Sequence, residues 1–140
     1  ADRLWGERSK NAYAFKSLLQ HNTMLAFGSD TPVEEANVLI GLYSAVARKR
    51  WDEPHSEPWY GEQRISMWDA LRAFTYGGAY AAREETYRGT LSPGMRADFI
   101  VLTHDLLAEE DPEVLKETQV IATFVGGRCV YKRPAEEPGV

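Results

Sequence analysis

"LAFGSDTPVEEA", residues 25–36, is the stretch on which the reading of the fold turns. An apolar run ends at Phe27, and Gly28, Ser29, Asp30, Thr31 and Pro32 follow before helical spacing begins. The run "TMLAFG" is short, apolar and bounded by turn residues. It predicts a strand over 24–28, buried on both faces as in a parallel sheet. The segment after it predicts a helix over 33–50 with Asp30 or Thr31 as its cap. Pro32 suits its start, and Glu34 and Glu35 suit the positive end of the helix dipole. Val38, Leu39, Leu42, Tyr43 and Val46 form its apolar stripe, and Arg48, Lys49 and Arg50 read as a solvated helix end.

Asp30 has two readings. It is a turn or capping residue, for which Gly-Ser-Asp is ordinary composition. Or it is a carboxylate just past the C-terminal end of a parallel strand, where α/β barrels keep their active sites. A carboxylate there can ligate a divalent metal or take a proton from an activated water. One carboxylate does not make a metal site, because catalytic zinc usually takes three protein ligands.

Upstream, Ala12, Phe15, Leu18 and Leu19 give helical spacing over 9–21, with Ser9 as N-cap and Asn22 closing the helix. Downstream, two prolines and a glycine make "WDEPHSEPWYGEQR", residues 51–64, a loop. Its Trp51, Trp59 and Tyr60 are pocket or rim residues. Ser66 with Asp69 is an approximate capping box for a helix over 66–83, interrupted at Gly77-Gly78. After residue 88 the character changes. "GTLSPGMRADFIVLTHD" holds a Ser-Pro-Gly turn and the strand "FIVL". "VIATFVGGRCVY" is a hairpin about Gly126-Gly127, a pair that tolerates the positive φ angles of a type I′ turn. Residues 1–88 thus read as helical with one buried strand, 89–133 as antiparallel β, and 134–140 as a polar tail.

A chain of 140 residues fits one domain, and 44% hydrophobic with 26% charged residues reads as globular. A net charge of −5 argues against a nucleic-acid surface. No apolar run approaches the ~20 residues of a membrane span. Cys129 is the only cysteine, so no internal disulfide forms, and a reducing cytoplasm is the expected compartment. His21, His55 and His104 form no HxH or HExxH pair and read as surface residues. Cys129 reads as a small packed strand residue.

Four stretches in order, "SLLQHNTMLAFGSDTPVEEANVLIGLYSAVAR", "ISMWDALRAFTYGGAYAA", "GTLSPGMRADFIVLTHD" and "VIATFVGGRCVY", resemble the C-terminal end of a metal-dependent amidohydrolase. The branch they resemble is amidohydrolase family 3, which includes N-substituted formamide deformylases, and the resemblance covers residues 8–132. It implies an α/β fold. The chain would supply the last strand and helices of a (β/α)8 barrel, then antiparallel strands of a composite β-sandwich. "MLAFGSD" would be the eighth barrel strand. Asp30 would be the aspartate that contacts the metal or the water it holds and shuttles the proton. Thr31, Trp59 and Tyr60 would be substrate-pocket candidates. Gly94 and Asp98 fit the family's "G-x-x-AD" turn, where the acid is structural.

The family's first-strand HxH pair, its bridging lysine or carboxylate and its middle-strand histidines have no counterpart in these 140 residues. The resemblance therefore implies the last quarter of an enzyme, inactive and without metal when isolated. In the intact enzyme it implies one or two divalent ions, zinc by preference, and a small-molecule amide, formamide or cyclic amide as substrate. Two other readings stand beside it. One is a non-catalytic interaction or oligomerisation module that self-associates through exposed barrel and sandwich edges. The other is a stand-alone β-rich binding domain with a helical arm, which would have no use for a buried strand ending in Asp30.

Overall fold

The computed structural model of the chain describes residues 2–134. The helical part comes first. A turn of helix, Asp2–Trp5 (α1), runs into a 3₁₀ helix, Gly6–Asn11, and Phe15–Gln20 forms α2. The helix expected over 9–21 is therefore split. Tyr13 adopts φ 52, which no continuous helix contains, and Ser9 is buried in the 3₁₀ segment rather than capping. Asn22 closes α2 as expected, in the left-handed region at φ 57.

Residues 24–28 are extended but are not a strand among the described residues. A parallel strand needs neighbours to take its N–H and C=O groups, and no other described strand lies beside it. Phe27 instead donates its N–H to the Ala73 carbonyl at 3.1 Å. Leu25 is buried, and the Phe27 ring packs between Phe15 at 4.8 Å and Phe74 at 5.5 Å.

The helix expected over 33–50 is shorter: α3 spans Val38–Ala47. Neither Asp30 nor Thr31 caps it. The cap is Asn37, whose Oδ1 accepts the Leu39 N–H at 3.1 Å. The apolar stripe begins only at Val38, and asparagine directly before it is a favoured cap, so residues 30–36 are left as turns. Leu39, Leu42, Tyr43, Ala45 and Ala47 are buried.

Ser66 caps α4, Met67–Arg72; its Oγ accepts the Asp69 N–H at 3.1 Å and donates to Asp69 Oδ2 at 2.6 Å. Gly77-Gly78 does not break the helix. It loosens into a π turn, Ala73–Gly77, and resumes as α5, Gly78–Ala81. Gly77 is where the helix meets the extended segment: a Cβ there would collide with the Leu25 carbonyl oxygen.

Strands β1 (Phe99–Leu102), β2 (Val120–Val125) and β3 (Arg128–Lys132) form one antiparallel sheet in that order. The hairpin turn has φ 57 at Gly126 and 76 at Gly127, the positive pair that a type I′ turn requires. Asp98 is structural in this sheet: its Oδ1 accepts the Gly126 N–H at 2.7 Å. Cys129 is exposed, not packed, because β3 is exposed along its whole length.

A short helix, α6 (Val114–Glu117), lies between β1 and β2. Leu106 and Leu115 share one core with Leu39, Leu42, Ala45 and Ala70, so the β segment is tied to α3. Tyr43 donates its hydroxyl to Glu113 at 2.5 Å, and Lys116 stands 4.6 Å over the Tyr43 ring. The expected tail over 134–140 lies, except for Pro134, outside the described residues.

Candidate active site

Asp30 follows the extended segment directly. It sits in the left-handed region at φ 56, a conformation that aspartate tolerates better than most residues. Its carbonyl accepts the Val33 N–H at 2.8 Å and closes the turn. The Ser29 and Thr31 hydroxyls lie 2.9 Å apart, and Thr31 Oγ1 donates to the Glu34 carbonyl at 3.3 Å. The Asp30 carboxylate itself is exposed and takes no hydrogen bond from the described residues.

A groove of about 1140 Å³ opens beside this turn. Phe15, Phe27 and Phe74 line it, with Gly28, Ser29, Glu34 and Glu35 toward the Asp30 turn and Arg48 and Trp59 among its other walls. Of the loop aromatics singled out by sequence, Trp51 and Trp59 line the groove. Asp30 and Thr31 flank it through their neighbours, and Tyr60 lies outside it. Trp59 and Tyr60 pack edge to face at 4.8 Å. The Trp59 indole donates to Asp2 Oδ2 at 2.8 Å and the Tyr60 hydroxyl to Asp2 Oδ1 at 3.4 Å. The bond from Trp59 is the main cause holding the Asp2 carboxyl below its ordinary pKa.

Arg48 corrects a sequence expectation. It is not a solvated helix end but is buried, with 6% of its surface exposed. Its left-handed backbone, φ 57, turns the chain out of α3 and sends the side chain back across the rings of Phe15 and Trp59, at 5.5 and 5.1 Å. Nε donates to the Trp59 carbonyl at 3.0 Å and Nη1 to the Tyr13 carbonyl at 3.1 Å. Nη2 is buried without a hydrogen-bond partner. Burial pulls the Arg48 pKa down, partly offset by the charge of Glu62. No spacing rule marks this residue; the available signal was a basic residue between a helix end and an aromatic loop. Lys49 and Arg50 do remain near the surface, on the Pro54 carbonyl and on Asp52 and Glu53.

Among the described residues, no three of His, Cys, Asp and Glu gather as a metal cluster. His21 Nδ1 lies 2.8 Å from the Ser17 carbonyl, and His104 Nδ1 lies 3.0 Å from Thr103 Oγ1 and 3.4 Å from Thr118 Oγ1. Asp30 is one free carboxylate, so these residues do not by themselves fit a complete metal centre. What they offer is an exposed carboxylate on a turn beside an aromatic-lined groove. No helix among the described residues is long and apolar enough to cross a membrane.

The model of a family described as the amidohydrolase family matches residues 1–131. Protein LONG AFTER FAR-RED 3 of Arabidopsis thaliana is 41% identical over 134 residues, 94% of this chain and 22% of that protein. A protein named amidohydrolase YtcJ, from Bacillus subtilis (strain 168), is 34% identical over 132 residues, 94% of this chain and 25% of that one. N-substituted formamide deformylase of Arthrobacter pascens is 29% identical over 133 residues, 93% and 24%. The chain thus spans 22 to 25% of the length of these relatives.

Among solved structures, an amidohydrolase from Thermotoga maritima MSB8 matches with a TM-score of 0.59 at 19% identity, over 86% of this chain and 26% of that one. Guanine deaminase of E. coli matches with a TM-score of 0.61 at 22% identity, over 90% and 33%. At these identities the likeness is one of fold.

Proposed function

Because this chain belongs to the amidohydrolase family, we propose that it is the part of a C–N bond hydrolase that carries the proton-shuttling group, Asp30. The observation that supports this is the exposed, unpartnered Asp30 carboxylate on a turn beside the groove, directly after an apolar extended segment. On this reading residues 24–28 are the eighth strand of a (β/α)8 barrel, and 89–133 belong to a composite β-sandwich. The substrate is a small amide, formamide or cyclic amide, with Trp59 in the groove wall and Thr31 on the turn beside it; Tyr60, outside the groove, only backs Trp59. The reaction takes place in the cytoplasm.

One or two divalent ions, zinc by preference, would supply a Lewis acid that activates water and polarises the carbonyl, held largely by ligands outside these residues. Asp30 accepts the proton of the attacking water and hands it to the leaving nitrogen, so the amine departs neutral. The isolated chain has this acid–base group without the rest of the centre and is expected to turn over nothing.

The test is amine release from a panel of amides by the intact protein and its Asp30→Asn variant. The variant should lose about 10²–10⁴ in rate, the usual worth of a positioned acid–base group. Unchanged turnover would refute the role. A second reading, an interaction module, draws on the exposed apolar residues of the sheet, among them Ile100, Val125, Val130 and Tyr131. It expects concentration-dependent self-association of the chain in sedimentation; a monomer at all concentrations would refute it.

A further inference from the structure

We propose that Arg48 and Trp59 form a recognition wall for a flat aromatic group on the substrate, with Trp59 making the contact and Arg48 positioning it. This rests on the reading of the Asp30 turn as the catalytic end of the groove. Trp59 lines the same groove as Gly28 and Ser29, which lead into Asp30. The link is continuous: Arg48 lies over Phe15, and Phe15 packs against Phe27 three residues before Asp30.

Arg48 fixes Trp59 from two directions. Its Nε donates to the Trp59 carbonyl, and the Trp59 N–H donates to the Arg48 carbonyl at 2.7 Å. Its guanidinium also lies over the indole. An apolar residue would fill this space without the cost of burying a charge, so filling space does not explain an arginine. Three non-glycine residues with left-handed backbones meet here: Tyr13 at φ 52, Arg48 at 57 and Tyr60 at 48. Such conformations persist where surroundings over-determine them, and they collect at ligand sites. The wall they hold is aromatic, and a flat ring gains from offset or edge-on contact with it. Lysine cannot replace Arg48, because a point charge lacks the planar fork that reaches two carbonyls and stacks on a ring.

The experiment is calorimetric titration of the intact protein with acetanilide and with N-methylacetamide, which differ in the ring. The wild type should prefer acetanilide by about tenfold. Arg48→Lys should reduce that preference to within about twofold. Trp59→Leu should do the same, and the double variant should add nothing. The ratio of two affinities does not move with the folded fraction, so a purely structural role would leave it unchanged. No preference in the wild type, or a preference kept in the variants, overturns the proposal. If Arg48→Lys does not fold, Trp59→Leu decides on the same terms. The titrations use the Asp30→Asn background throughout, so that hydrolysis of the amides adds no heat; turnover persisting in that background would remove the Asp30 role, and the same ratio read on the metal-stripped protein would still decide this one.

Discussion

Gly77 and Gly78 are adjacent helical glycines, and replacing each by alanine should have opposite effects. At Gly78 a Cβ meets nothing within 4 Å, and the backbone is helical at φ −62, ψ −44. Alanine there should stabilise by about 1 kcal/mol, the ordinary helix-propensity gain. At Gly77 the Cβ would meet the Leu25 carbonyl oxygen, with Leu25 C at 3.1 Å and Ala26 Cα at 3.3 Å. These are backbone atoms and cannot rotate away. Overpacking of this kind costs about 1–3 kcal/mol, so the net loss after the propensity gain of about 1 kcal/mol is up to about 2 kcal/mol. The extended segment must also retreat by about 1 Å, a displacement that costs about 10²-fold when it reaches a reacting group. Asp30 lies five residues beyond Leu25 on that segment. Urea midpoints of the two variants should therefore move in opposite directions, and amide turnover by the intact protein should fall only for Gly77→Ala. Equal midpoints with equal turnover would refute the packing of the π turn against residues 25–29.

Tyr43→Phe removes the hydroxyl donated to Glu113; since Glu113 is 43% exposed, the loss should be about 1 kcal/mol by urea unfolding. The same pair sets a pH dependence. Glu113 is held below its usual pKa chiefly by the Tyr43 bond, so its contribution is present above the unfolded value near 4.5 and is lost as pH falls through the lower folded value. Burial, then Glu113, pushes Tyr43 up from 10.0 to about 12, so its contribution is present below 10 and is lost as pH rises toward 12. Stability against pH should fall on both sides of this window, and Tyr43→Phe should flatten both limbs. Asn37→Ala should cost about 1 kcal/mol in thermal or urea unfolding by removing the α3 cap; no loss would show that Asn37 is not the cap.

The elements legible in the sequence were those with local causes. The Gly126-Gly127 hairpin follows from the need for two positive φ angles, and the Ser66 cap from a hydroxyl three residues before an acid. The apolar stripe of α3 was legible in Leu39, Leu42 and Tyr43, which are buried, while Val38, read as its first member, is exposed at the helix start. The start of α3 was not legible, because Pro32, Glu34 and Glu35 mimic a first turn while Asn37 provides the actual cap. The strand at 24–28 was read from composition, yet strand pairing depends on a neighbour, and the described residues contain none for it. Gly77-Gly78 reads as a break, whereas Gly77 is a close approach between helix and backbone that no local rule reveals. At the site, Asp30 stood out by its place after an apolar run. Arg48 was hidden, because its role depends on Tyr13, Phe15 and Trp59, up to 35 residues away in sequence.

The most direct measurement is a crystal structure of the intact protein loaded with zinc, with anomalous scattering recorded at the zinc edge. Expected is an ion whose own ligand sphere, or the water in it, lies about 2.0–3.2 Å from the Asp30 carboxylate, at the mouth of the groove. A metal centre remote from Asp30, with that carboxylate still turned to solvent on its turn, would contradict its role as the catalytic acid–base group.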